Sequence, residues 1–516
     1  MMKFVIRSGF AAALASALLG TGLTSGVAEP AGAKLEQSAS PQQVFDEFVG
    51  GTLTNCFFKY GPTGRDPLNN RAFPDAGAVY WAAAYVRPSG SKVEMEGVYP
   101  NARFMSFISY DKAGLFVDGA ADYMIDPDAG SVNLFRTGAP RYATPEAQRK
   151  YTVEVRLAEK PAESPVVQNA GQPSRNHLYS LPSKNPWLDK NGQPVETILY
   201  RVYIPDRGFD YAGGEPVPSV KLTLADGSVL RGHDACEALR SNPKTLEESF
   251  APNLAALSMP MARWKDLSHP KGVPATFPAR YPADWRAAYD PDQLALKPID
   301  TSDPKIPTPD KFGGSAYPNV FKTSLRTFIN RELGKVVVVR LKPWKTVKTY
   351  DRAPYFANAG TEMRFWSISL SESPATTRGL DGVFDEEFPV NSDGYVTFVG
   401  SNEQDRPRFA TKECGVGWAN WKNRGDGVGN PNFGWLSIGN MLPDPEMTES
   451  FFAFKRPGDE RQVLGEHYPE LKYYKDAAAF DALGCGGAAS QAAMQDIPGK
   501  ESANAVGWPY VAKGAK

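Results

Sequence analysis

The chain has 516 residues, a formal net charge of −1 at pH 7 and four histidines, and 42% of it is hydrophobic. This charge balance gives no electrostatic case for nucleic acid or anionic lipid as a partner, and the length suits two packed domains or more. Abundant glycine (47), proline (44) and aromatic residues (12%) favour many short strands joined by turns over a helical bundle.

Lys3 and Arg7 precede an apolar run at residues 10–23 that is too short to span a bilayer, and Ala31-Gly32-Ala33 fits a small-residue cleavage site. Residues 1–33 are therefore predicted to be a signal peptide. The mature protein is expected to be exported, periplasmic or secreted, with no membrane span. Ser40-Pro41 capping and Gly50-Gly51 stopping predict a short helix near residues 41–48. An N-terminal β-rich domain is assigned to residues 34–259, with strands at 79–85, 92–96, 103–110, 151–157, 196–204 and 219–224. Turns fall at Asp189-Lys-Asn-Gly192 and Asp226-Gly227. The spacing Asp234-Ala-Cys-Glu237 predicts a capping box opening a helix to Leu239.

Residues 260–318 hold 11 prolines and little periodicity, and read as an irregular connector in which Trp264, Phe277 and Trp285 require burial. The C-terminal β-rich domain is assigned to 319–486. Within it, Val320, Leu325, Phe328 and Ile329 predict a helix over 319–333 stopped by Gly334, and Lys335-Val-Val-Val-Val-Arg340 predicts a central strand. The Gly-, Asn- and Trp-rich stretch from Trp418 to Trp435 reads as loop, residues 476–483 as a short helix, and 487–516 as a flexible tail. The fold class is thus mainly β: two β-sandwich-like halves related as a pseudo-repeat, with a few peripheral helices. Cys56, Cys236, Cys414 and Cys485 form no Cys-x-x-Cys pair; in an oxidising compartment Cys56–Cys236 and Cys414–Cys485 are the expected disulfides, one per half.

The pseudo-repeat rests on an internal echo. Arg103-Phe-Met-Ser106 is followed 19 residues after the arginine by Asp122, and Arg364-Phe-Trp366-Ser367 is followed 21 residues after by Asp385. A Gly-containing turn closes each copy, at Asp126-Pro-Asp128-Ala-Gly130 and Asn391-Ser-Asp393-Gly394; neither meets the calcium-loop pattern. An Arg–Asp pair within each copy is read as pinning a loop against a strand.

Catalytic motifs are scarce. His177, His233, His269 and His467 lack paired metal-ligand spacing, so no metal site is assigned, and without a P-loop or a dinucleotide fingerprint no cofactor is assigned. No Gly-x-Ser-x-Gly occurs, Ser89-Gly-Ser-Lys92 and Ser241-Asn-Pro-Lys244 sit in turn-like surroundings, and His233-Asp234 reads as an ordinary histidine beside a helix start.

The phrase Gly97-Val-Tyr99-Pro100-Asn-Ala-Arg103-Phe-Met-Ser106, with Tyr200-Arg201-Val-Tyr203-Ile-Pro205-Asp206 and Arg364-Phe-Trp366-Ser367, resembles a group of uncharacterised exported bacterial proteins. It is more distantly similar to paired β-sandwich domains of unknown function that carry a Pro-x-x-Arg-Tyr strand. The resemblance implies a fold and no reaction.

Two functions follow. One is a binding protein holding a small apolar or sugar-like molecule in a cleft between the halves. The other is a metal-free, cofactor-free hydrolase or lyase using carboxylate, Tyr or His acid–base chemistry. The ligand-binding candidates are Arg103, Tyr110, Asp122, Arg201 and Tyr203 from the first half and Arg364, Trp366 and Asp385 from the second. Arg364→Ala and Asp122→Ala are expected to impair binding more than stability.

Overall fold

A computed structural model describes residues 54–239, 285–287 and 317–490, apart from gaps at 66–68, 113, 162–174, 184–185, 359, 373–375, 428, 430 and 455–459. The expected signal peptide, the helix near 41–48, and Trp264 and Phe277 of the connector lie outside these residues.

The first half supplies β1 (Tyr60–Gly64), β2 (Ala78–Tyr85), β3 (Lys92–Val98), β4 (Ala102–Tyr110), β5 (Phe116–Ala121), β6 (Lys150–Arg156), β7 (His177–Tyr179), β8 (Glu196–Pro205), β9 (Ser219–Thr223) and β10 (Val229–Arg231). The second supplies β11 (Arg286–Ala287), β12 (Lys322–Asn330), β13 (Val336–Leu341), β14 (Met363–Ser371), β15 (Gly379–Phe384), β16 (Val396–Ser401), β17 (Val416–Asn420), β18 (Phe433–Pro443) and β19 (Glu470–Tyr474). Among the described residues four short helices flank them: α1 (Gly232–Ala238), α2 (Glu460–Leu464), α3 (Ala477–Asp481) and α4 (Gly484–Ser490).

The strand order repeats. One sheet of the first half runs β1-β2-β8-β4-β5, and its counterpart runs β11-β12-β18-β14-β15, each number raised by ten. The other sheets run β10-β9-β3-β6-β7 and β17-β16-β13-β19, and in each the one parallel pair is the equivalent one, β6–β7 and β16–β17. Each half is a sandwich of its two sheets. Trp81, Phe107, Val153 and Leu222 fill the first core; Leu325, Val337, Ile368 and Phe398 fill the second. A third core joins the halves: Ala78, Phe104 and Tyr203 pack with Phe321, Phe365 and Met441. The β8 and β18 sheets therefore lie face to face, giving four stacked sheets with both inner sheets covered on each side. That explains why β4 and β14 are buried at every position.

Most expected strands form, and β13 lies between β16 and β19 as a central strand. Both disulfides have the expected pairing. Four expectations are corrected. Residues 319–333 are strand β12 followed by a single 3-10 turn, Arg331–Leu333, because Leu325, Thr327 and Ile329 alternate into the second core while Ser324 and Arg326 face the other sheet. The stretch from Trp418 to Trp435 is flanked by strand at both ends, in β17 and β18. Helix α1 opens at Gly232, with Arg231 and not Asp234 at its cap position. Residues 487–490, assigned to the tail, continue α4, with Ala488 buried.

Because the third core is shared, the halves should unfold together. Phe104→Ala removes a fully buried ring from it and is expected to cost about 3–5 kcal/mol. Urea melts followed by tryptophan fluorescence and far-ultraviolet circular dichroism should coincide in wild type and variant; two separated transitions would refute the shared core.

Candidate functional site

The echo arginines are the second residues of β4 and β14, next to Phe104 and Phe365 of the third core, and their pairing is exchanged between halves. Arg103 on β4 places Nη1 2.5 Å from both carboxylate oxygens of Asp385, bonds Glu386 through Nη2, and donates from Nε to Thr349 Oγ1 at 3.0 Å. Arg364 on β14 donates to Asp122 Oδ1 at 3.0 Å. The expected pairs within one copy, Arg103–Asp122 and Arg364–Asp385, are thus replaced by the two crossed pairs. Each aspartate opens a 3-10 turn after a strand, Asp122–Met124 and Asp385–Glu387, so that the strand of one half grips the turn of the other. Asp122 also accepts backbone N–H bonds from Met105 and Tyr123. Burial still holds its carboxyl above the usual range, against the pull of Arg364. All four residues are buried and their charges are committed to one another. Trp366, two residues along β14 and on the same face as Arg364, is stacked on Phe388 in the second core and donates to Trp344 O. These five residues build the scaffold.

Tyr110, Arg201 and Tyr203 converge instead on a second polar cluster at the same interface. It depends on a motif present twice that the echo did not include: Phe73-Pro74-Asp75 and Tyr317-Pro318-Asn319, each five residues ahead of an inner-strand position, Ala78 or Lys322. Phe73 and Tyr317 both adopt left-handed backbone angles (φ 49° and 54°), and Ala72 beside Phe73 does too (φ 64°). Such conformations cost about 1–3 kcal/mol each and persist only where surrounding bonds enforce them. Here Ala72 N and Phe73 N bond Thr377 Oγ1 and O of the other half.

This geometry sends each motif across the interface. Asp75 Oδ1 accepts from Lys322 Nζ at 2.7 Å, and Asp75 Oδ2 accepts from Tyr203 OH at 3.3 Å; Asn319 Nδ2 donates to that same phenol oxygen. Lys322 also donates to Ser324 Oγ at 2.6 Å. Gly439 makes room for this: a Cβ there would sit 2.7 Å from Lys322 Cε. Arg201 lies between the rings of Tyr80 and Tyr110 and donates from Nη2 to Tyr317 O. Arg326 lies over both Phe73 and Trp435, 5.6 Å from each ring centre. Lys322 and Arg326 are only partly buried, so this end of the interface reaches solvent.

Burial lowers the pKa of Lys322, with Asp75 opposing and Arg326 and Arg201 adding to the fall; Arg326 is pushed down to about 10 by burial and Tyr110 up to about 12. Aromatic rings and three cations gathered at this end of the interface make it the candidate site. Asp75, Lys322, Arg326, Phe73 and Trp435 escaped the sequence reading. The doubled aromatic-Pro-Asx motif was the signal that could have found them.

No protein-family model matches the chain, and no curated protein matches it. Among solved structures it is similar to an uncharacterized protein from Burkholderia cenocepacia (9% identity, TM-score 0.41, covering 84% of this chain and 85% of that one). A structural-genomics target from Vibrio parahaemolyticus is a further neighbour (11% identity, TM-score 0.28, covering 79% and 92%).

The crossed pairs predict a stability phenotype, reversing the sequence-based expectation for these residues. Asp122→Ala leaves Arg364 buried without its partner and should cost about 3–5 kcal/mol. The double variant Asp122→Ala/Arg364→Ala should cost less than the sum of the single losses. A double-mutant cycle in urea checks this, and additive losses would exclude the coupling.

Proposed function

We propose that the protein is an exported binding protein that holds a small molecule between its two halves without transforming it, in the recess lined by Phe73, Tyr80, Arg201, Lys322, Arg326 and Trp435. Export is supported by the signal-like N-terminus and the two disulfides. Among the described residues no helix is long and apolar enough to cross a membrane. The observation that carries the binding reading is Arg326. It is partly exposed at the seam and makes ring contacts but no hydrogen bond or ion pair among the described residues. Among the described residues only the charge of Asp75 acts on this guanidinium, and a ligand would supply the hydrogen-bond acceptor.

A second reading has one observation behind it. Lys322 Nζ lies 2.6 Å from Ser324 Oγ with its pKa lowered, the arrangement of an amine that takes a proton from a serine nucleophile. It ranks below binding because Asp75 holds the same ammonium at 2.7 Å, favouring the proton where it is, and because Ser324 is 2% exposed.

Titrating the full-length protein with a panel of sugars and small aromatic compounds separates the readings. Binding at the recess should raise the melting temperature and change tryptophan emission. Trp435→Phe should abolish most of the emission change while keeping the thermal shift. If p-nitrophenyl acetate is instead hydrolysed and Ser324→Ala abolishes that turnover, the catalytic reading replaces this one.

A further inference from the structure

We infer that the recess recognises an oxyanion, the acidic group of a small organic acid, held by Arg326; this rests on the reading of the recess as the ligand site. Three cations, Arg201, Lys322 and Arg326, face one carboxylate, Asp75. Lys322 uses Asp75 directly, and the phenol of Tyr203 takes its second oxygen.

The other hydrogen-bonding groups are occupied as well. Tyr110 OH donates to Pro318 O, Tyr80 OH accepts from Asp75 N, and Tyr203 OH is bonded on both sides. Two groups remain. Among the described residues, Arg201 Nη1 is buried without a hydrogen-bond partner, in a residue only 3% exposed, and Arg326 makes ring contacts but no hydrogen bond or ion pair, with Asp75 only within electrostatic reach. Both are donors and both are charged. A neutral sugar offers donors as well as acceptors and would leave its hydroxyl hydrogens unmatched here. A carboxylate, phosphate or sulfonate offers acceptors and charge, and an arginine fork binds it through two parallel bonds.

The repeat shows that these charges are not demanded by the fold. Arg326 stands opposite Ser437 on β18, and the equivalent place in the first half, opposite Leu199 on β8, holds Ala82. Lys322, opposite Met441, has Ala78 as its equivalent, opposite Tyr203. Conversely Arg201, opposite Ser106, corresponds to Gly439, opposite Ser367. The same two-sheet interface is therefore built at those ranks with alanine and glycine.

The approach is basic too. Arg71 precedes Ala72, and Arg378 follows Thr377, the residue that Ala72 and Phe73 bond. Burial and the neighbouring Arg378 both lower the pKa of Arg71, so the two guanidinium groups lie within electrostatic reach of each other. These two cations flank the Ala72–Thr377 bond beside Phe73 and would draw an anion toward the seam.

The test uses the full-length protein with benzoate, phenyl phosphate and benzenesulfonate as anionic probes, and benzyl alcohol and methyl glucoside as neutral ones. Each is titrated by calorimetry and tryptophan fluorescence at low salt and at high salt. At least one anionic probe should bind, and which one does separates carboxylate from phosphate and sulfonate. High salt should weaken it several-fold. Arg326→Gln, a change at a partly exposed side chain, should keep the wild-type melting temperature and weaken that probe at least tenfold. The double variant Arg71→Gln/Arg378→Gln should slow association and reduce the salt dependence while leaving dissociation nearly unchanged. If only neutral probes bind, the oxyanion inference falls and the site stands. If an anionic probe binds folded Arg326→Gln as tightly as wild type, the placement falls. If no probe binds, the binding reading falls with it.

Discussion

The exchange of two arginine–aspartate pairs across the central interface is the constraint on which the other features depend. Arg103 and Arg364 are fully or almost fully buried at equivalent places on β4 and β14, and each reaches a carboxylate in the opposite half. A buried charge without its partner is expensive, so neither half can complete its inner sheet alone without stranding an arginine and an aspartate. Such pairs contribute little net stability over an apolar substitute, and burial does push Asp122 upward. What they impose is register: β4 and β14 must meet the opposite turn at one position, and the shared core of Phe104, Phe365 and Met441 then closes around them.

That register brings the aromatic-Pro-Asx motifs across the seam. With the strands fixed, Phe73 must reach Trp435 and Tyr317 must reach Tyr110, and left-handed angles at both residues are the local cost of doing so. The bonds from Thr377 to Ala72 and Phe73 hold one such crossing in place. The second polar cluster is thus a consequence of how the halves are joined.

Much of the fold was legible because period-two alternation and turn residues act locally. Strands β2, β4, β6, β8, β9 and β13 could be read directly, and pairing cysteines within halves gave both disulfides. Strand β12 was misread because Val320, Leu325, Phe328 and Ile329 happen to match helical spacing. Its β-branched residues Thr323, Thr327 and Ile329 and its position across from β18 decide otherwise, and the second of these is tertiary. The echo identified the four brace residues but not their partners. Sequence spacing carries no information on whether a loop folds back on its own strand or onto its twin. Three of the eight proposed ligand residues, Tyr110, Arg201 and Tyr203, lie in the second polar cluster. Lys322 and Arg326 were hidden inside the misread helix.

Equivalent ranks of the two halves show which features both share and which one half carries alone. The braces occur in both copies, as do the serines Ser106 and Ser367 opposite the central strands, the left-handed residues Ile204 and Leu442 that end β8 and β18, and the aromatic-Pro-Asx turns. A feature needed to build the interface is needed on both sides of it, so it recurs. Lys322 against Ala78, Arg326 against Ala82, Arg201 against Gly439 and Asp75 against Asn319 do not recur. Folding does not require these differences, since the equivalent ranks pack without them, and keeping charge in a partly buried seam costs desolvation. Charge carried by one half only, at ranks that the other half fills with alanine or glycine, is what the binding proposal draws on.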